Sequence, residues 1–387
     1  MSLTVRRVLV LMDTTRTYFR EIIRGIARYH HEHGEWLLEY SPYGPEDFVP
    51  KDFRDYRADG MLVRINQPQL LEAVLRTGIP AIDLLRVFPH SAIPCIGPDE
   101  REVTRQLLHH FQEQHFHSFA FLGIRTPETH FLAIRHETFV EEMRKKAFPS
   151  SVYRIPTSTV YSDRLRISER IRGSLRKWLQ KLPRRTAVLC GNDELAFQVL
   201  EQCRLAGIAV PQHLAVAGIG NDDCICELGH PTLTSVELRP QKIGYQAAEL
   251  LQQAMDGRSI PHDTLTPCGE IIVRQSTDTF LTEDESLNRA IQFIRHHACE
   301  GIGVEDVCQA AHLTRIPLEN RFKKWLGRTV YQEIQRIRLA EIQKMLRTTR
   351  LPFKTIVRQA GFRRLEQMMR FFRKETGMTM KEFRDEL

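Results

Sequence analysis

Between residues 5 and about 275 the chain alternates short apolar runs with longer stretches of helical periodicity. Val8 to Met12, Gly60 to Ile65, Ala81 to Leu85, Ser118 to Gly123, Ala187 to Cys190 and Leu214 to Ile219 are apolar runs of strand length. Amphipathic segments of about 12 to 18 residues accompany them. This rhythm predicts parallel sheets covered by helices on both faces, and the unbroken apolar character predicts strands buried on both sides. At roughly 270 residues the stretch is large for one sheet, so two similar lobes sharing a cleft are expected.

From Asn288 to Cys299 the spacing becomes that of a helix, with Ala290, Ile291, Ile294 and Ala298 on one face. Beyond Val304 the pattern repeats itself after fifty residues: Val307 falls on Val357, Ala310 on Ala360, Leu318 on Met368, Phe322 on Phe372, Gly327 on Gly377 and Thr329 on Thr379. Each copy reads as a helix-turn-helix. In the first, a short helix holding Val304, Val307, Ala310 and Ala311 gives way at His312-Leu313-Thr314 to a second helix. That helix has Thr314 as its N-cap, Leu318, Phe322 and Leu326 facing inward, and Gly327 at its end. In the second, a helix with Ile356, Val357 and Ala360 turns at Gly361 into a helix from Leu365 to Glu375. The two units are expected at about 304–326 and 354–375. Pro317 sits early enough in its helix for the missing N–H to cost little.

Charge changes the picture of the tail. Residues 315 to 384 hold 19 Lys plus Arg against 6 Asp plus Glu, whereas residues 1 to 282 hold 34 of each. A basic, duplicated helix-turn-helix is the footprint of a module that neutralises phosphates and reads double-stranded DNA. The plain alternative, a solvated helical bundle, explains the charge but not the duplication.

The rest of the composition mainly excludes. Eight cysteines lack disulfide or zinc spacing, no stretch approaches the length of a membrane span, and the N-terminus has no signal-peptide run. A reduced, cytoplasmic protein without membrane attachment is expected. Gly218-x-Gly220 and Gly301-x-Gly303 lack the rest of a nucleotide fingerprint, and no nucleophile, base and metal-ligand set can be placed at one site, so neither an enzyme nor a cofactor is expected.

Two resemblances bear on this reading. Arg338-Leu339-Ala340, the run Ile356 to Phe362, and Phe371-Phe372-Arg373-Lys374-Glu375-Thr376-Gly377-Met378-Thr379 before Phe383-Arg384 resemble the AraC/XylS transcription regulators over about the last hundred residues. Met368 and Met380 stand where that family has an aromatic and a proline. Gly191-Asn192-Asp193, Gly207 to Gly218, and Leu233 to Ala248 resemble the effector domains of LacI/GalR regulators, relatives of periplasmic sugar-binding proteins, over about residues 5 to 275. Together they imply an α/β two-lobed periplasmic-binding-protein-like domain at residues 1–276, a linker at 277–286 (polar and acidic in composition) and an all-α DNA-binding domain with two helix-turn-helix motifs at 287–387. They also imply a homodimer, a sugar effector with D-xylose the first to test, and activation through RNA polymerase.

In open α/β sheets, ligands bind beyond the carboxyl ends of strands. That rule selects Asp13, Arg16 and Tyr18 after the first strand, Asp99 near a further strand end, Phe131 and Arg135 in the stretch after Gly123, Asn192 and Asp193 after Cys190, and Asn221 and Asp222 after Ile219. Donors, acceptors and flat aromatic surfaces suit a sugar, although an Asn or Asp after a strand is also a common helix N-cap. The LacI/GalR resemblance implies that Arg135 and Asn192 touch the sugar. It also puts an acidic contact at Gly220, so Asn221 or Asp222 must substitute or the ligand is held differently. In the tail, Ile316, Glu319, Asn320 and Lys323 project from the first recognition helix, and Arg363, Arg364, Glu366, Gln367 and Arg370 from the second. These are base-reading candidates, Glu319 and Glu366 either accepting from cytosine or orienting arginines. Lys324, Arg328, Arg373 and Lys374 are phosphate candidates, and Arg336 and Arg338 lie on the connecting helix.

Overall fold

The computed structural model describes residues 5–12, 14–34, 36–42, 57–88, 91–125, 130–156, 168–278, 284–349 and 351–385. The chain forms two compact units, Met1–Thr279 and Phe280–Leu387. Along the first run β1 (Arg6–Met12), α1 (Thr17–His33), β2 (Trp36–Pro42), β3 (Gly60–Val63), α2 (Pro68–Leu75), β4 (Ala81–Asp83), β5 (Cys95–Pro98), α3 (Glu100–Glu113), β6 (Ser118–Arg125) and α4 (His130–Lys145). They are followed by β7 (Ser150–Pro156), α5 (Glu169–Lys181), β8 (Thr186–Cys190), α6 (Asp193–Leu205), β9 (Leu214–Gly220), α7 (Asp223–Leu228), β10 (Thr234–Glu237), α8 (Pro240–Met255), β11 (Asp263–Thr266) and β12 (Ile271–Ile272).

These strands make two sheets, in the orders β11-β5-β4-β3-β1-β2 and β12-β10-β9-β8-β6-β7. All pairings are parallel except β10 with β12. Each sheet founds a lobe, and the chain passes between lobes after β5, after β10 and after β11. β3 and β8 are buried along their whole length, and β9 in all but its last residue, as expected for strands covered on both faces. In the first lobe Val8, Val10 and Met12 pack beneath α1 and α8, while Leu9 and Leu11 face the opposite layer with Leu70 and Val74 of α2. The alternation of one strand between two cores is the period-2 signature of a central strand. The strands that the apolar runs did not mark include β2 and β7, which end their sheets and leave Leu37, Tyr40 and Val152 exposed.

The second unit is helical: α9 (Glu285–His297), a 3-10 turn (Ala298–Glu300), α10 (Val304–Ala311), α11 (Arg315–Leu326), α12 (Val330–Thr348), α13 (Phe353–Gln359), α14 (Leu365–Thr376) and α15 (Met380–Asp385). The fifty-residue register is kept in three dimensions. Leu318 and Phe322 of α11, and Met368 and Phe372 of α14, are the fully buried residues of their helices, and Gly327 and Gly377 both end them in the left-handed conformation. Thr329 exchanges hydrogen bonds with Gln332 at the start of α12, and Thr379 does the same with Glu382 at the start of α15. Thr314 occupies the N-cap position of α11, but its side chain makes no capping bond. Met368 and Met380 are both buried, so the two departures from the AraC/XylS pattern are accommodated in the core.

The expected linker is engaged towards both of its ends. The Thr277 hydroxyl bonds that of Thr234 at 2.8 Å inside the first unit, and Asp284 accepts from the Leu287 N–H to begin α9. Residues 279–283 lie outside the described residues.

Candidate functional site

The carboxyl ends of β4, β5, β8 and β9 and the start of α1 surround a cleft of about 130 Å³, lined by residues of both lobes. Room for about ten waters is room for one small sugar. Of the residues selected from sequence, Arg16, Tyr18, Phe131, Arg135, Asn192, Asp193 and Asp222 line it. Asp99 and Asn221 do not. The Asp99 carboxylate accepts from the Arg101 and Glu102 N–H groups and caps α3, and Asn221 Oδ1 accepts from Arg274 Nη2 at 2.9 Å. The helix-capping reading is therefore correct for Asp99, and Asn221 is held by an arginine. Asp13 lies outside the described residues, as do residues 126–129.

Three cleft residues had been overlooked. Glu100, 4% exposed, takes a hydrogen bond from Arg135 Nε at 2.6 Å, while Arg135, 2% exposed, also donates from Nη1 to the Gly191 carbonyl and places its guanidinium 5.0 Å from the Phe131 ring centre. Burial raises the Glu100 pKa, against the charge and hydrogen bond of Arg135. Glu194 accepts from Arg16 Nη1 at 3.0 Å and from Asn192 Nδ2 at 2.9 Å, so an ion pair joins the lobes across the cleft. Arg86 is held by Asp263 at 2.7 Å. The strand-end rule points to Arg86, directly after the run that ends at Leu85; Glu100 and Glu194 each lie beside a residue already selected.

Beside Gly220 the cleft is lined by the carboxylates of Asp193 and Asp222. Gly220 has φ +133°, and a Cβ there would stand 3.0 Å from Asp193 Oδ2. Asp193 accepts from the Ser235 hydroxyl at 2.5 Å and the Asp222 N–H at 2.8 Å. Burial nevertheless pushes its pKa up to about 6, with Asp222 and Glu194 adding to the rise. A raised acid in the folded state holds a proton that the unfolded chain has released. Its contribution to stability is full below about pH 4 and is lost as pH rises through about 6. The shift corresponds to roughly 3 kcal/mol. An Asp193→Asn variant, whose amide oxygen can accept from the Asp222 N–H while its NH2 donates to the Ser235 hydroxyl oxygen, should therefore show a shallower fall in urea midpoint between pH 4 and 7 than the parent. Asp83, also raised to about 6 by burial, keeps part of the slope in both. Identical pH profiles would sink this account.

In the tail, α11 presents Ile316 (74% exposed), with Asn320, Lys323 and Lys324 also in solvent, and Arg363, Arg364, Glu366, Gln367, Arg370, Arg373 and Lys374 are exposed on and before α14. Two of the candidates are engaged within the unit. Glu319 is half-buried and accepts from the Val330 N–H at 3.3 Å, which ties it to the start of α12 rather than to a base or an arginine. Arg328 Nε pairs at 2.9 Å with Glu333, which Arg336 also holds at 2.8 Å. Burial raises the Glu333 pKa, but the hydrogen bond and charge of Arg336 and the charge of Arg328 outweigh it and leave it lowered. Arg338 joins the halves of the unit: it donates to the Ala298 and Ile302 carbonyls at 2.7 and 3.0 Å and lies 5.6 Å from the Phe362 ring centre. Among the described residues no group of three or more metal-ligating side chains occurs, and no helix is long and apolar enough to cross a membrane.

A two-lobed cleft domain followed by paired recognition helices defines a class. Residues 108–277 match the periplasmic binding protein-like domain and residues 307–386 a helix-turn-helix domain. The chain is a DNA-binding transcription regulator that joins a periplasmic binding protein-like domain to a helix-turn-helix domain. It is 29% identical over 393 residues to the xylose operon regulatory protein of Haemophilus influenzae, with 98% of each chain covered. To the Escherichia coli K12 xylose operon regulatory protein it is 28% identical over 396 residues, covering 98% of this chain and 97% of that one. A solved structure of the xylose-binding transcription activator xylR superposes with a TM-score of 0.76 at 26% identity, covering 98% of both chains.

Proposed function

We propose that this chain controls xylose-utilisation genes, and that D-xylose bound in the cleft of the first unit sets the DNA-binding activity of the second. What carries the reading is the coexistence of a sugar-sized cleft lined by buried carboxylates, an arginine and aromatic rings with a likeness to xylose operon regulatory proteins that runs the length of both chains. A sugar bridging the lobes favours their closed arrangement, and it shifts the DNA-binding equilibrium only as far as its affinity differs between arrangements. A hundredfold change in DNA affinity requires about 2.7 kcal/mol of such coupling. Within the second unit, α12 spans about 28 Å between recognition helices, which suits neighbouring major-groove segments about one helical turn apart. A homodimer acting in the cytoplasm would present four helix-turn-helix units and recruit RNA polymerase when liganded.

Calorimetry against a panel of pentoses and hexoses tests the sugar half. Heat with D-xylose above all others is expected, and no heat with any sugar would leave a regulator that does not sense them. The DNA half is tested by two substitutions. Arg370→Ala should relax sequence preference with little change in the salt slope, whereas Lys374→Ala should weaken all sequences alike and reduce the slope by about one. Equal behaviour of both variants would overturn the division between reading and positioning groups.

A further inference from the structure

The balanced charge of residues 1–282 conceals an uneven distribution. Residues 144–185 hold 13 Lys plus Arg against 2 Asp plus Glu, whereas the other residues up to 282 hold 21 against 32. The topology gathers that excess in one place. α4 ends at Lys145 shortly before β7, α5 ends at Lys181 shortly before β8, and these two strands flank β6 with Ser150 beside Phe119 and Thr186 beside Ser118. The two helix ends therefore meet the sheet about 10 Å apart. They do so at the amino ends of the strands, the pole of this lobe opposite the cleft.

The basic face continues along α5. Leu175 and Leu179 are fully buried, and Arg170, Lys177 and Lys181, spaced i, i+7 and i+11, lie on the opposite side in solvent. That stripe runs about 17 Å, half a turn of duplex DNA. Arg144 and Arg184, at the two helix ends, are exposed as well. None of these five makes a hydrogen bond or ion pair among the described residues. Glu169, the one carboxylate of α5, stands 3.8 Å from Arg172 and Arg176 instead. A protein partner would look for an apolar centre poor in lysine, and a membrane for side chains to insert. Neither α5 nor the turns at 146–149 and 182–185 offers an exposed large apolar side chain. A row of unneutralised ammonium and guanidinium groups suits a polyphosphate backbone.

Resting on the DNA-binding role above, we propose that this basic pole is a second, sequence-independent DNA contact, which holds the phosphates of duplex running on from the site gripped by the C-terminal unit. Covalent linkage keeps that duplex at high local concentration, so contacts too weak to bind alone add to the affinity of the whole chain.

The test uses the full-length protein and the sequence it selects from a random pool, once trimmed to the site and once embedded in long flanking DNA. Affinity is measured across a salt series. For the parent, log affinity should fall with log salt more steeply on the embedded duplex, by about 3 to 4 in slope, equivalent to about 100-fold in affinity between 50 and 200 mM salt. Replacing Arg170, Lys177, Lys181 and Arg184 by Gln should abolish that difference and leave the trimmed duplex bound as before. A control with Arg24, Arg76, Lys242 and Arg258 replaced by Gln removes the same charge from exposed positions of the other lobe, and should behave as the parent. Thermal midpoints check that the variants fold. Should the four-site variant melt early, Lys177→Gln with Lys181→Gln carries the test at about half the slope change. Equal parental slopes on the two duplexes, or an equal loss in the control, overturn the proposal. So does a four-site variant with unchanged slopes that no longer stimulates purified RNA polymerase, which would assign the pole to a protein partner. If the parent selects no sequence from the pool, it is the DNA-binding role beneath the proposal that fails.

Discussion

Replacement of Arg135 by alanine is expected to cost the N-terminal unit about 3 to 5 kcal/mol of stability in addition to the sugar response. Arg135 is the buried partner of Glu100, at 2.6 Å, and it also satisfies the Gly191 carbonyl. Its removal leaves a carboxylate with almost no water, no hydrogen-bonded countercharge and only the weaker influence of Arg86, a penalty larger than the net worth of the pair itself. The expected result is therefore a large drop in urea midpoint. Adding Glu100→Gln to Arg135→Ala should recover much of it, because the stranded charge is gone. A single variant as stable as the parent would mean that the pair does not hold in solution. Full stability with a lost calorimetric signal would instead make Arg135 purely a ligand contact.

Gly361→Ala is expected to lower the stability of the C-terminal unit by about 2 to 5 kcal/mol and to weaken DNA binding by at least about tenfold. Gly361 has φ +74°, and a Cβ there would lie 2.7 Å from both the carbonyl carbon and oxygen of Cys299. The turn between α13 and α14 thus rests directly on the 3-10 turn that follows α9, and any side chain drives the second recognition unit off the first. Gly327 is the matched control. It too is left-handed, φ +66°, but nothing lies within 4 Å of its added Cβ. Gly327→Ala should then cost only about 1 kcal/mol and leave DNA affinity nearly unchanged. Equal losses for both would assign the effect to backbone conformation alone and remove the packing argument.

What the sequence disclosed, and what it withheld, follows from burial. The central strands and the duplicated helix-turn-helix were legible because a residue pressed from every side must be apolar, and the two copies repeat that demand at one spacing. Edge strands β2 and β7 were not, since one side of an edge is free to mix polar and apolar residues. Within the cleft, strand ends located Tyr18, Arg135, Asn192 and Asp193. The rule cannot distinguish a carboxylate that turns to its own helix, as Asp99 does, from its neighbour Glu100, which turns inward. On α11 the outward face was predictable from period 3.6, but Glu319 shows why facing outward is not the same as being available. Its partner, Val330, lies eleven residues along the chain, and no local pattern announces that bond.

The twin arrangements at Thr329 with Gln332 and Thr379 with Glu382 have a consequence for how such a molecule can change over time. Each recognition helix is stopped by its own glycine and the next is started by its own threonine, so the boundaries of a unit are written outside its reading surface. Mutations at Ile316, Asn320, Glu366 or Arg370 touch neither those punctuation marks nor the buried residues, and surface changes of that kind rarely cost more than about 0.5 kcal/mol. Retargeting to a new promoter can then proceed by drift at a few solvent-facing positions, one copy at a time, without the lineage passing through an unfolded ancestor.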